Sequence, residues 1–144
     1  MDEGVDTGLI LGQEKVPISS KETASTLYKK INKAHEVLIK KLFIELQNNK
    51  VEGIIQDDSK ASYWEGRKPE DGRLTYDMTI KEVDVLVRAT TKPYPGAFIL
   101  LDKKKIIIWE GFKSKERMVN ESYYEILFKD GYYYSTNFEI LDIT

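Results

Sequence analysis

The chain has 144 residues, 41 % of them apolar and 32 % charged, which suits one soluble domain or a small domain with an appendage. Its 22 basic and 24 acidic side chains leave a formal net charge of −2, without the basic excess that a dedicated nucleic-acid binder needs. Cysteine is absent and His35 is the single histidine, which excludes disulfides, thiolate metal sites, cysteine nucleophiles and any site built on two imidazoles.

The opening stretch from Met1 to Gly8 is acidic and glycine-rich, unlike a signal peptide. It reads as a turn leading straight into Leu9-Ile10-Leu11, more like the inside of a protein than a frayed chain start. Leu9 to Ile18 is expected to be extended, and Pro17 keeps it out of a central strand because it has no amide hydrogen. Ser19 and Glu22 stand at capping-box spacing, so a helix is expected from about residue 20 to 47. Leu27, Ile31, Ala34, Leu38, Leu42 and Leu46 recur at three- and four-residue steps along one face. Val37, Ile39, Phe43 and Ile44 widen that face, which predicts a well-buried C-terminal half. Asn48-Asn49 suits the left-handed cap that ends a helix.

Residues 57–73 are polar and turn-rich, and read as an ordered surface linker in which Tyr63 and Trp64 act as packing anchors. A second helix is expected over 79–90, capped by Thr79 with Glu82 completing the box, and carrying Ile80, Val83, Leu86 and Val87 on one face. Lys92-Pro93-Tyr94-Pro95-Gly96 ends it, because each proline pushes its predecessor out of helical geometry. The rest reads as five short strands: 97–101, 105–111, 123–128, 132–135 and 138–143. Asp102-Lys103-Lys104 and Lys129-Asp130-Gly131 mark the hairpin turns. Such strands predict a small antiparallel sheet or open barrel. The longest apolar runs, Ala97–Leu101 and Ile106–Trp109, are too short to span a bilayer, and a soluble, cytoplasmic protein is expected.

Two segments resemble the formyltransferases that use 10-formyltetrahydrofolate, the family of methionyl-tRNA and sugar-nucleotide N-formyltransferases. The first is Met1-Asp2-Glu3-Gly4-Val5-Asp6-Thr7-Gly8-Leu9-Ile10 with Gln13 and Val16-Pro17-Ile18, similar to the stretch that closes the family's active site. The second is Arg67-Lys68-Pro69-Glu70-Asp71-Gly72, then Arg88-Ala89 and Pro93-Tyr94-Pro95-Gly96-Ala97-Phe98, similar to the connector into its C-terminal β domain. The likeness covers about residues 1–112 and is weaker beyond Phe112, where Tyr124-Glu125-Ile126 and Thr136-Asn137-Phe138-Glu139-Ile140 resemble the sugar-modifying branch.

The resemblance implies an α+β chain in three parts. Residues 1–56 would be the C-terminal remnant of a Rossmann-like catalytic domain, 57–95 a linker with a helix, and 96–144 a small β domain. It further implies an amine attacking a formyl carbon, with an asparagine and a histidine two residues apart cooperating with a distant aspartate. Asp6 matches that aspartate. The Asn-x-His pair and the folate loop have no counterpart in this sequence, because His35 is preceded two positions earlier by Lys33. The expectation is therefore a formyltransferase fragment that does not act unaided. Its parent donor would be 10-formyltetrahydrofolate and its parent acceptor an amino-sugar nucleotide, with methionyl-tRNA or a non-catalytic binding module as the alternatives. A separately encoded N-terminal half would complete it, and the second helix, the β domain or a second copy of the chain in a homodimer is expected to cover the apolar face of the first helix.

Tyr63 and Trp64 beside Arg67 and Lys68 are candidates for stacking on a base or sugar and contacting a diphosphate. As a plain aspartate ahead of Thr-Gly, Asp6 is a turn former. Residues 60–118 hold 13 Lys/Arg against nine Asp/Glu, whereas 119–144 hold one Lys against five acids, and that acidic tail opposes RNA binding. Lysines 103–105 at a hairpin tip read as protection against edge pairing. Tyr123, Tyr124, Phe128, Tyr132, Tyr133, Tyr134 and Phe138 exceed what a small barrel needs inside, and part of this cluster is expected to form a dimer face.

Overall fold

The computed structural model describes residues 4–118 and 122–143. Met1-Asp2-Glu3, the start of the first motif, and four residues of the acidic tail lie outside them. The chain divides into two units: one runs to Ile18 and resumes over Tyr28–Gly66, and the other takes Ser19–Leu27 and the chain from Arg67 onward.

In the first unit the extended reading of Leu9 to Ile18 holds, and the segment is pinned at one point. Ile10 and Ile54 exchange both backbone hydrogen bonds, at 2.9 and 3.0 Å, as an isolated antiparallel bridge. Gly12 lies on α1 (Ala24–Gln47) so closely that a Cβ there would stand 3.0 Å from Leu38 Cδ1 and 3.2 Å from Leu42 Cδ2. Asn49 closes α1 in the left-handed region at φ 53°, as expected. Its amide bonds Leu46 O, and that of Lys50 reaches back to Glu45 O at 2.9 Å, which satisfies two carbonyls the helix end would leave open.

Two expectations for α1 are corrected. The helix starts at Ala24, after the expected residue 20: Ser19 and Glu22 do interact, Ser19 N donating to Glu22 Oε2 at 3.3 Å, but they close a single turn. Thr23 caps the helix, its hydroxyl accepting from Thr26 N at 3.2 Å. The C-terminal half of the apolar face is also not buried. Val37, Ile39, Phe43, Ile44 and Leu46 are each more than half exposed, and Ala24 is the one buried residue of the helix. Periodicity registers which side of a helix is apolar and says nothing of what covers it.

In the second unit α2 (Ile80–Thr90) is capped as expected, with Thr79 and Glu82 bonding reciprocally. Its buried residues Ile80, Val83 and Val87 pack on a four-stranded antiparallel sheet of β1 (Ala97–Leu101), β2 (Lys104–Ser114), β3 (Tyr124–Phe128) and β4 (Gly131–Asp142) in the order β1-β2-β4-β3. The fifth expected strand is absent, because residues 132–135 and 138–143 run on as one strand, β4. The break expected between them is a pair of irregularities: Trp109 on β2 and Thr136 on β4 have no partner between Ile108↔Phe138 and Gly111↔Ser135. Each unpaired residue adds local twist, which lets two long strands curl over one helix.

Most of the aromatic cluster packs within the unit. Tyr133, Tyr134 and Phe128 are buried and the other four of the seven are partly so. Their rings stack on each other and on Phe112, with centroids 5.5 Å apart for Phe112–Tyr134 and 5.1 Å for Tyr124–Phe138. Among the described residues no parallel sheet accompanies α1, and no helix is long and apolar enough to cross a membrane.

Candidate functional site

The sequence-predicted site residues fall in both units. Asp6 sits on an exposed turn of the first, at φ 61°. That left-handed backbone is the turn geometry an aspartate tolerates. Gln56 holds the turn from the other end of the unit: its side-chain amide donates to Asp6 O at 2.8 Å and to Gly8 O at 2.7 Å. Sequence reading missed Gln56, because its partners are 48 and 50 positions away and a lone glutamine carries no pattern. Gly4 to Thr7 are all exposed, so the turn does not by itself form an enclosed cradle for a folate. His35 is an exposed residue of α1. Among the described residues no cluster of His, Asp and Glu could hold a metal ion.

Tyr63 and Trp64 are 93 % and 87 % exposed, which overturns the expectation that they anchor the linker. Nothing in their immediate sequence supplies an apolar neighbour to pack against. Arg67 and Lys68 are also exposed, and they line a cavity of about 1080 Å³ in the second unit. The cavity opens between Arg67–Gly72, the outer side of α2, and Tyr94-Pro95-Gly96. The structure thus brings Arg67 and Lys68 together with Lys81 and Tyr94, which sequence reading did not single out, and leaves Tyr63 and Trp64 off its walls.

Backbone fit explains why the two ends of the second segment, Arg67–Gly72 and Pro93–Phe98, meet here. Pro69–Gly72 is a short 3-10 turn whose Asp71 Oδ2 accepts from Lys68 N at 2.9 Å. A Cβ on Gly72 would stand 2.8 Å from the Gly96 carbonyl oxygen, and Gly96 itself adopts φ +88°. Only glycine fits both positions without strain. Past the turn, Leu74 N donates to Phe98 O at 2.7 Å and Arg73 bridges Phe98, so the connector runs beside β1. On α2, the Thr79 amide and hydroxyl hold the Glu82 carboxyl below the usual carboxylate range.

The fold is an α+β one, with a helix laid on a curled antiparallel sheet, and solved formyltransferases share it. The N-formyltransferase from Helicobacter canadensis in complex with folinic acid and dTDP-3-aminofucose superposes on 96 % of this chain and 53 % of its own, with TM-score 0.69 and 24 % identity. Methionyl-tRNA formyltransferase from Clostridium thermocellum matches 99 % and 53 %, with TM-score 0.62 and 19 % identity. In sequence, residues 67–127 match the family described as formyl transferase, C-terminal domain. The bifunctional polymyxin resistance protein ArnA of Wigglesworthia glossinidia brevipalpis is 37 % identical over 123 residues. That alignment takes in 85 % of this chain and 18 % of the ArnA protein, so the chain spans under a fifth of that relative's length. Residues 67–127 thus match the C-terminal domain of formyl transferases, and the chain is similar to a C-terminal portion of such enzymes.

Proposed function

We propose that this chain supplies the C-terminal part of an enzyme that transfers a formyl group from 10-formyltetrahydrofolate to the amine of a nucleotide-linked amino sugar. The observation that carries the reading is the 37 % identity to ArnA over 123 residues, joined to the family match over 67–127. In this reading residues 1–56 end the catalytic domain, 57–95 connect, and 96–144 form the β domain. Asp6 is the chain's contribution to catalysis, and Tyr63, Trp64, Arg67 and Lys68 face the sugar nucleotide.

Formyl transfer to an amine needs a group that takes the amine proton and a donor that stabilises the oxyanion of the tetrahedral intermediate. An exposed carboxylate meets the first need poorly without a desolvated setting and partners. The sequence holds no Asn-x-His to meet the second. The exposed turn at Asp6 does not by itself fit a bound folate. Turnover therefore requires residues beyond these 144, supplied by an Asn-x-His-containing catalytic half.

The test is formyl transfer by the chain mixed with such a half, across amino-sugar nucleotides and initiator methionyl-tRNA. Transfer to an amino-sugar nucleotide is expected, and Asp6→Asn should lower it by about a hundredfold or more, the usual scale for a proton-transfer group. Transfer to methionyl-tRNA alone, or an Asp6→Asn variant as active as the original chain, would overturn the assignment.

A further inference from the structure

The cavity in the second unit has an apolar floor and an uneven charge. Met78, Val85, Leu86 and Ala89 supply the floor, and Tyr94 and Pro95 stand across from it. Its two carboxylates are taken up locally: Asp71 by the Lys68 amide, Glu82 by the Thr79 amide and hydroxyl. Its three cations are not. Arg67, Lys68 and Lys81 make no ion pair among the described residues. Asp71 and Glu82 keep their charge, so the lining is net positive by one, and three cations free of ion pairs beside an apolar floor favour a ligand that is anionic at one end and flat and apolar at the other. At about 1080 Å³ the hollow matches the size of sites that take a nucleotide-sized molecule.

We propose that this cavity binds a nucleoside diphosphate, its diphosphate on Arg67, Lys68 and Lys81 and its base on the apolar floor by Val85 and Tyr94. The choice of a nucleotide among organic anions rests on the sugar-nucleotide reading above; the cavity and its charge do not. Arg67 offers the planar fork that pairs with two phosphate oxygens at once, and the two lysines add point charges. Half-exposed Val85 and Tyr94 would each lose water-facing surface on binding. All the residues required lie in the unit that holds α2 and the sheet, so binding needs no catalytic partner.

The test is an amide-resolved NMR titration of the full chain with UDP and dTDP, with uridine and pyrophosphate as separate arms. UDP or dTDP should shift amides over 67–96 saturably, at about millimolar concentration or below. Uridine and pyrophosphate should each bind at least about tenfold more weakly, since each keeps one half of the interaction. Lys81→Glu, a change at an exposed helix position, should weaken UDP about tenfold or more, and Val85→Ser should weaken it while leaving pyrophosphate unchanged. The inference fails if the cavity amides do not shift, if pyrophosphate alone matches UDP, or if Lys81→Glu binds as the original chain does. Failure here, with amino-sugar formylation intact in the complemented enzyme, removes the cavity site and leaves the family reading. Cavity binding with no formylation of any amino-sugar nucleotide does the reverse.

Discussion

Asp130 joins three parts of the second unit through one carboxylate. Its Oδ1 accepts from Ile80 N at 2.8 Å, at the start of α2, and its Oδ2 pairs with Lys115 Nζ at 2.5 Å. Lys115 first, and the Ile80 amide second, hold its carboxyl below the ordinary aspartate range. Because the folded pKa is depressed, this contribution is complete above about pH 4, the unfolded value, and is lost as pH falls through the folded one. Asp130→Asn should therefore be less stable than the original chain near neutrality and show a flatter acid limb, read as urea midpoints from about pH 3 to 7. Tyr133 gives the opposite case, a fully buried hydroxyl without a hydrogen-bond partner among the described residues, pushed above the ordinary tyrosine range by burial. Tyr133→Phe removes an unsatisfied group, so it should leave stability unchanged or raise it by up to about 1 kcal/mol in the same assay. A loss larger than that would reveal a partner for the hydroxyl. The Thr79–Glu82 box was legible because cap and partner are three residues apart. Asp130 was read only as a turn residue, since its partner amide lies 50 positions away.

Among the elements, α1 and the sheet show where pattern informs and where it stops. The spacing of apolar residues placed α1 and its end at Asn48-Asn49, because those signals are local. It did not reveal that Phe43 and Ile44 are both 59 % exposed. Phe43→Ser and Ile44→Ser should each change unfolding free energy by less than about 0.5 kcal/mol, as surface substitutions do. Ile108→Ala, at a position with no exposure, should cost about 2–5 kcal/mol by the same denaturant titration. Comparable losses at both sites would mean that the α1 face is covered in solution. The merging of two expected strands into β4 and the burial of the aromatics have the same origin. Thr136-Asn137 looks like a break in an alternating run, but β2 carries its own unpaired residue opposite, and the ladder resumes. Tyrosines that look surplus to a small barrel are used up when two long strands curl and stack them on Phe112.

For the whole molecule, the two ends of the second resembling segment, 67–72 and 93–98, are adjacent in space. The turn at Gly72 and the backbone at Gly96 meet, and Leu74 pairs with Phe98. The family resemblance was legible in the sequence because these close backbone approaches admit so few residues. The cavity was not, since its walls come from three separated segments and only Arg67 and Lys68 stood out. The chain thus combines a sheet-and-helix unit with the exposed Asp6, proposed above as its contribution to catalysis, and its sequence holds no Asn-x-His. The most direct measurement is formyl transfer from 10-formyltetrahydrofolate to an amino-sugar nucleotide by the 144-residue chain, alone and with an Asn-x-His catalytic half added. No turnover alone and Asp6-dependent turnover on addition is the predicted result. Turnover by the chain alone, or none on any amino-sugar nucleotide once the catalytic half is present, would contradict it.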